Sequence, residues 1–366
     1  MSMTQQLAPD NVDRMLLRVA QEAFEAEPWR RTAPVVVIHD VTGALSSWAR
    51  KHELNVRFVQ DSAALAAEQG AITGPVEVAP SRAALSEAAT VLYRLARPLE
   101  ALEEVAWHVA RWGSADVMFL AGQLQRHLNF SMNTVLEQVF DDVSASRGYY
   151  KARALRAQSP KELHGETPPR IPRKNVVQVA GKDVQLRAYG LTFGAARLDP
   201  GTKLLLKTLY ANPPEQFTSG ATIVDLGCGN GTIVTTLAQR YRNATLIATD
   251  DSASAVQSTT ATLAANDIED VQVLHQSGLE QLADNSVDAV VLNPPFHVGT
   301  HLTSDIAFFL FDEVARTLKP GGVLLTVFNA ARNYRPQLRH RVGPTWQLAR
   351  DKRFIVTQSQ KVDAHV

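Results

Sequence analysis

A chain of 366 residues is long enough for two domains of ordinary size, each with its own buried core. Its 37 basic and 37 acidic side chains balance, so no global field argues for nucleic acid or membrane, and any such claim must rest on local clusters. The single cysteine, Cys228, excludes an internal disulfide and a cysteine-rich zinc site, and it fits a reducing compartment.

The opening MSMTQQLAPDNVDRM has no basic flank leading into an apolar stretch, and no later window is apolar and uncharged for the roughly 20 residues a bilayer requires. The expectation is a soluble, cytoplasmic monomer with no membrane segment and no metal. In chain order, PVVVIHD, ATVLYRL and ADVMFLAG read as strands in the first half. Residues 159–174, SPKELHGETPPRIPRK, mix prolines, a glycine and basic residues with no hydrophobic period, the signature of a linker. Beyond it TIVDLG, TLIATD, VQVLHQ, AVVLNP and GGVLLTVFN are again β-branched and apolar. Strand runs separated by helix-length segments imply α/β units with parallel sheets covered on both faces. The division expected is 1–158, a linker at 159–174, and 175–366.

The halves resemble each other. One overlay sets Gly43 against Gly231, Val37 against Asp225, His39 against Gly227 and Val41 against Gly229. The same overlay sets Arg94, Leu95, Ala96 and Arg97 against Asn293, Pro294, Pro295 and Phe296. The first copy keeps the strands and loses the polar and glycine positions, so it reads as a degenerate duplicate unable to hold the same ligand. Two unrelated α/β domains are the alternative.

TIVDLGCGNGTIVTTLAQRY places Gly227, Gly229 and Gly231 between an apolar strand and an amphipathic helix. Glycines there let a backbone approach a ligand closely, and the helix start offers unpaired N–H groups. The spacing G-x-G-x-G departs from the dinucleotide fingerprint. Asp225, just before the loop, repels a pyrophosphate and attracts an ammonium, and Asp250 ends the next strand where ribose hydroxyls are held in open α/β sheets. Asp250 also reads as a helix N-terminal acid. Together the two carboxylates and the glycine loop, with Asn230 inside it, describe a site for S-adenosylmethionine. Cys228 is expected to pack under the loop.

AVVLNPPFH then breaks after a strand with Asn293, Pro294, Pro295 and Phe296. Consecutive prolines cannot donate to a sheet, so the turn is stiff and rich in acceptors. The Asn293 oxygen and the Pro294 carbonyl suit a planar NH2, with Phe296 stacked on the ring that bears it. Accepting both protons turns the nitrogen lone pair toward a methyl donor, and positioning then replaces a strong base.

DLGCGNG, NPPFH followed by Gly299, the upstream YGLTFGAARLDPGTKLLL and the late VFNAARNY resemble the ribosomal RNA guanine-N2 methyltransferases, two-domain enzymes acting on large- or small-subunit RNA. The resemblance covers most of the chain and is strongest over 187–360. It implies tandem Rossmann-like methyltransferase domains, the N-terminal one degenerate and serving RNA recognition. It also implies about seven strands in the C-terminal domain, S-adenosylmethionine as donor, and a flipped guanine against Asn293 and Phe296. It places Phe193 and the stretch from Arg197 to Gly201 over cofactor and substrate. Gly194 departs from the family's serine, and Gln276 and Ser277 stand where the family has Asn or Asp near the adenine amine.

Lys151, Arg153, Arg156, Lys161, Arg170 and Arg173, with Tyr149 and Tyr150, form one basic cluster, and Arg332, Arg335, Arg339 and Arg341 form another. These are candidate phosphate contacts on ribosomal RNA or a ribosomal subunit, or else solvated faces. His297 is a further candidate for touching the base. The expected activity is guanine-N2 methylation, in 23S RNA first and 16S RNA as the alternative. Adenine N6 and protein glutamine amides are other planar NH2 targets, and an RNA-binding assembly factor is the non-enzymatic reading.

Overall fold

The computed structural model describes residues 8–294 and 302–362, with the backbone alone for 302–304. The chain forms two compact units, residues 1–172 with 189–191 and residues 173–188 with 192–366.

In the first unit the strands are β1 (Val35–Ile38), β2 (Val56–Val59), β3 (Val76–Glu77), β4 (Thr90–Arg94), β5 (Met118–Leu124), β6 (Phe140–Ala145) and β7 (Ala152–Pro160), in sheet order 3-2-1-4-5-7-6. The second unit opens with a hairpin, β8 (Arg173–Val179) and β9 (Lys182–Ala188). Its two turn residues, Ala180 and Gly181, both have positive φ, which matches the twist of a two-residue hairpin. The following strands are β10 (Thr222–Leu226), β11 (Thr245–Asp250), β12 (Val271–His275), β13 (Val287–Leu292), β14 (Leu318–Asn329), β15 (Thr345–Arg350) and β16 (Phe354–Gln360). Their order, β12-β11-β10-β13-β14-β16-β15, repeats that of the first sheet, with the last two strands antiparallel in both.

Side-chain alternation builds the second core. Ile223, Ala289, Val291, Val323 and Leu325 face one layer of helices, and Val224, Val290, Leu292 and Leu324 face the other. Both faces are covered, which is why these strands read as unbroken apolar runs. The hairpin lies along the helix Ala253–Ala265 and the residue after it. Thr262 and Asn266 exchange hydrogen bonds with the backbone of Arg187 and Gln185, satisfying the open edge of β9.

The duplication is registered strand by strand. Val35 pairs with Thr90 as Ile223 pairs with Ala289, which aligns Arg94 with Asn293. Gly43 and Gly231 each cap a helix in the left-handed region, at φ 74° and 79°. His39 keeps the positive φ of its counterpart Gly227, 61° against 74°, and places a buried imidazole where the second unit has none. In the first unit Asp40 accepts the amide of Ser46, the same helix position that Asp225 serves through Val234. The capping survives on a different residue, while the acid at the strand end has become Val37.

Among the described residues no helix is long and apolar enough to cross a membrane, and no group of three or more His, Cys, Asp or Glu could hold a metal.

Candidate active site

Parallel pairing brings the two motifs to one edge. Leu226 of β10 lies beside Leu292 of β13, so the loop from Gly227 to Gly231 and the turn at Asn293 leave adjacent strands at their carboxyl ends. Asp250 ends the strand on the other side of β10.

The loop is drawn tight from below. The amides of Gly227 and Cys228 both reach the Thr249 carbonyl, at 2.8 and 3.0 Å. Gly227 and Gly229 have φ of 74° and 55°, and a β-carbon at either would meet no described heavy atom within 4 Å. Glycine is therefore needed for conformation, and no described atom crowds the space above the loop. Asp250 holds the loop's shape: one carboxylate oxygen accepts the Gly229 amide at 3.0 Å and the other the Ser252 amide at 2.9 Å. Cys228 is buried, with its sulfur accepting from the Thr259 hydroxyl at 3.2 Å, and burial raises its thiol well above the usual range. It packs under the loop as a small apolar side chain.

Asp225 is fully enclosed. One oxygen accepts the Val234 amide at 2.9 Å, and the other is buried without a hydrogen-bond partner among the described residues. Burial pushes its carboxyl up to about 7, the Val234 hydrogen bond opposes this, and the nearby Asp250 charge adds to it. In this conformation its visible work is to hold the first turn of the helix Thr232–Arg240 through the Val234 amide.

Asn230, expected to meet the cofactor, is instead occupied on every side. Its amide nitrogen donates to the carbonyls of Ala195 and Arg197, at 2.8 and 2.9 Å, and its oxygen accepts from the amide and hydroxyl of Thr232. It fastens the segment before β10 onto the glycine loop. That segment bends at Gly194 and Ala195, both at positive φ. Phe193 is half exposed on it, and the Arg197 side chain points to solvent. The Gln276 amide joins Asp250 at 3.1 Å, but its side chain is buried and bonded to Gly278 and Gln281, which leaves Ser277 as the more open side chain of that loop.

Asn293 is held from one side only. Its Nδ2 donates to Asp199 Oδ2 at 3.1 Å and to Thr202 Oγ1 at 3.0 Å, and its Oδ1 is buried with no partner among the described residues. Asp199 falls within the stretch from Arg197 to Gly201 that the resemblance set over cofactor and substrate, but its contact with Asn293 was not foreseen, and Thr202 received no role from sequence. The available signal was the acid before a proline at a helix start, since Asp199 caps the helix Pro200–Ala211 through the Thr202 amide. Pro294 is buried; Pro295, Phe296 and His297 lie outside the described residues.

The basic residues divide. Lys151, Arg153 and Arg170 are exposed, whereas Arg156 bonds Gln158, and Lys161 bonds the Glu137 carbonyl and lies 3.6 Å from Asp141. In the second cluster Arg341 is paired with Asp312 and lies over the Phe308 ring.

Comparison with known proteins agrees with this architecture. Residues 183–358 match the Methyltransferase small domain family and residues 2–161 the RLMG N-terminal domain family. The ribosomal RNA large subunit methyltransferase G of Streptomyces coelicolor is 31% identical over 277 residues, 74% of this chain and 71% of that protein. The protein of the same name from Magnetococcus marinus is 29% identical across 89% of this chain and 88% of its own length. A solved T. thermophilus 16S rRNA N2 G1207 methyltransferase, in complex with AdoMet and guanosine, shares the fold at a TM-score of 0.76 and 22% identity, over 90% of this chain and 88% of that one. With two matched family domains, a repeated seven-stranded topology and a glycine loop beside an Asn-Pro turn, this chain belongs to the ribosomal RNA large subunit methyltransferase G family.

Proposed function

We propose that the protein transfers a methyl group from S-adenosylmethionine to the exocyclic N2 of a guanine in large-subunit (23S) ribosomal RNA. The observation that carries this reading is the Asn293 side chain, whose nitrogen is occupied and whose buried oxygen has no partner among the described residues, beside the glycine loop. The site suits the donor: no described heavy atom would meet a β-carbon at Gly227 or Gly229 within 4 Å, and Asp250 stands at the neighbouring strand end, where open α/β sheets hold ribose hydroxyls. Asp225, Ser277 and the loop amides complete the residues that would hold it.

When bound, the cofactor supplies an electrophilic methyl on a positively charged sulfur. The chain's own part is to place the nucleophile. Asn293 Oδ1 and the Pro294 carbonyl accept hydrogen bonds from the two N–H groups of the guanine amine, drawing its lone pair out of conjugation and along the line of attack, and once the nitrogen carries the methyl one of its protons is released to water. Leu226 and Leu292, both buried, keep the floor of the site apolar, which favours a step that disperses charge. Phe296 stacks on the extracted base, whose unstacking costs a few kcal/mol. The choice of the large subunit rests on the relatives' name, and that of guanine N2 on the sequence resemblance and on the activity named for the solved methyltransferase of the same fold. The first unit serves RNA recognition, with Lys151 and Arg153 among its phosphate contacts. Acting on ribosomal RNA, the enzyme would work in the cytoplasm.

The test is mass mapping of modified guanines in ribosomal RNA from cells with and without the protein. One N2-methylguanine should disappear from 23S RNA and return with the wild-type chain but not with Asn293→Ala. A complete set of marks in the deleted cells would refute the proposal, and a loss confined to 16S RNA would reassign the substrate.

A further inference from the structure

An asparagine amide is useful here in one orientation only. If the side chain turned over, it would present NH2 to the guanine NH2, a donor facing a donor. Two groups contact its occupied end. The Thr202 hydroxyl both donates and accepts, so it does not select an orientation. A carboxylate only accepts, and Asp199 Oδ2 therefore admits Nδ2 and excludes Oδ1. Asp199 is itself fixed, because the same oxygen accepts the Thr202 amide at 2.8 Å as the helix cap. Its carboxylate also lies close to Gly201, where an added β-carbon would come within 3.0 Å of Oδ2.

The first unit supplies an internal comparison. There the residue matching Asn293 is Arg94, and the residue capping the corresponding helix is Asp10. Arg94 donates to Asp10 and to Asp13, whose other oxygen accepts from Thr42. Where the methyl-transfer chemistry has gone, the capping acid remains, and what faces it is a side chain with donors alone. The carboxylate thus selects for donors at this strand end in both units.

We infer that Asp199 is a positioning residue that locks the Asn293 amide with its oxygen toward the substrate amine. This rests on the methyl-transfer reading above. The test is steady-state kinetics on ribosomal RNA together with calorimetric binding of S-adenosylmethionine. Asp199→Ser keeps a capping oxygen for Thr202 but is too short to reach Asn293. It should lower kcat at least tenfold, with the RNA KM and the cofactor Kd within about twofold of wild type. Asp199→Asn retains both length and cap and can offer either end to Asn293, so its kcat should fall between wild type and Asp199→Ser. Thr202→Val should cost less than Asp199→Ser. Wild-type kcat in Asp199→Ser, or a loss of cofactor affinity in step with kcat, overturns the lock. If Asp199→Ser does not fold, Asp199→Asn decides alone, and wild-type kcat there overturns it. An inactive wild-type enzyme would instead count against the methyl-transfer reading.

Discussion

The first unit carries an imidazole at the position where the second has open space, and Gly227→His transfers that state to the working site. His39 shows that the backbone tolerates it: its φ is 61°, and its ring rests 5.5 Å from Tyr93 in an edge contact. Gly227 has φ 74°, and a β-carbon there meets no described heavy atom within 4 Å, so the new side chain enters the cleft and not the core. The cost to the fold is the left-handed conformation of a non-glycine residue, about 1–2 kcal/mol. For a unit of this size that lowers Tm by roughly 3–6 °C. The cost to the ligand is larger, because the imidazole fills the space left to the cofactor, and a Kd at least about 100-fold weaker, about 2.8 kcal/mol, is expected. Titration calorimetry with S-adenosylmethionine and a thermal melt on the same sample separate the two effects. Binding within threefold of wild type in a folded variant would refute both the placement of the cofactor and the account of how the first unit lost it.

Asp225 has a carboxyl raised to about 7 in the folded state, so the folded chain holds a proton that the unfolded chain releases near pH 4. Stability without cofactor therefore falls as pH rises from about 4 to 7 and then levels off. Asp225→Asn should accordingly stabilise the protein more at pH 8 than at pH 5; equal shifts in denaturation midpoint would contradict the enclosed acid. Asn230→Ala removes the hydrogen bonds to Ala195 and Arg197, about 1–2 kcal/mol, and should expose the chain near Phe193 to limited proteolysis. An unchanged cleavage pattern would mean that other contacts hold the segment. Replacing exposed Lys151, Arg153 and Arg170 by alanine should reduce the slope of log affinity against log salt for RNA by roughly two, and an unaltered slope would remove them from the interface.

Legibility in the sequence followed physical scale. TLIATD is the observed β11 in full, and the apolar cores of TIVDLG and AVVLNP became the central pair, because strands buried on both faces must be apolar throughout. The pairing of Gly43 with Gly231 and of Arg94 with Asn293 follows from identical register in two sheets. Two outer strands were hidden, although β12 at the opposite edge was read as VQVLHQ. β6 and β15 are edge strands with mostly exposed side chains, FDDVSA and TWQLAR, so neither shows a continuous apolar run. At the site, residue types indicated which side chains matter but not which way they face. Asn230 sits in the loop as expected, yet its hydrogen bonds run to the preceding segment. Gln276 follows its strand as expected, yet its amide closes its own turn. Asp199 precedes Asn293 by 94 residues, and no local period connects them.

The comparison of the two units also shows why chemistry was separable from fold. Asp225, Gly227, Gly229 and Asn293 correspond to Val37, His39, Val41 and Arg94, all at or beyond the carboxyl ends of central strands. Within the strands, burial is preserved: Val35 to Ile38 and Ile223 to Leu226 are wholly buried in their respective sheets. The core depends on the strand interiors, and the ligand on the tips. What each tip must still do for the fold is satisfy the start of the following helix, and Asp40 does that where Asp225 has gone. The pattern yields an order of tolerance. Substitutions that copy the first unit into the second, such as Gly229→Val, should abolish methyl transfer while leaving a cooperative unfolding transition. Removing the Asp40 cap by Asp40→Ala should destabilise the first unit by about 1–2 kcal/mol, although none of the proposed catalytic residues lies there. If Asp40→Ala left stability unchanged, the helix start would not need its acid, and the shift of the cap from Asp225 to Asp40 would have no structural cause.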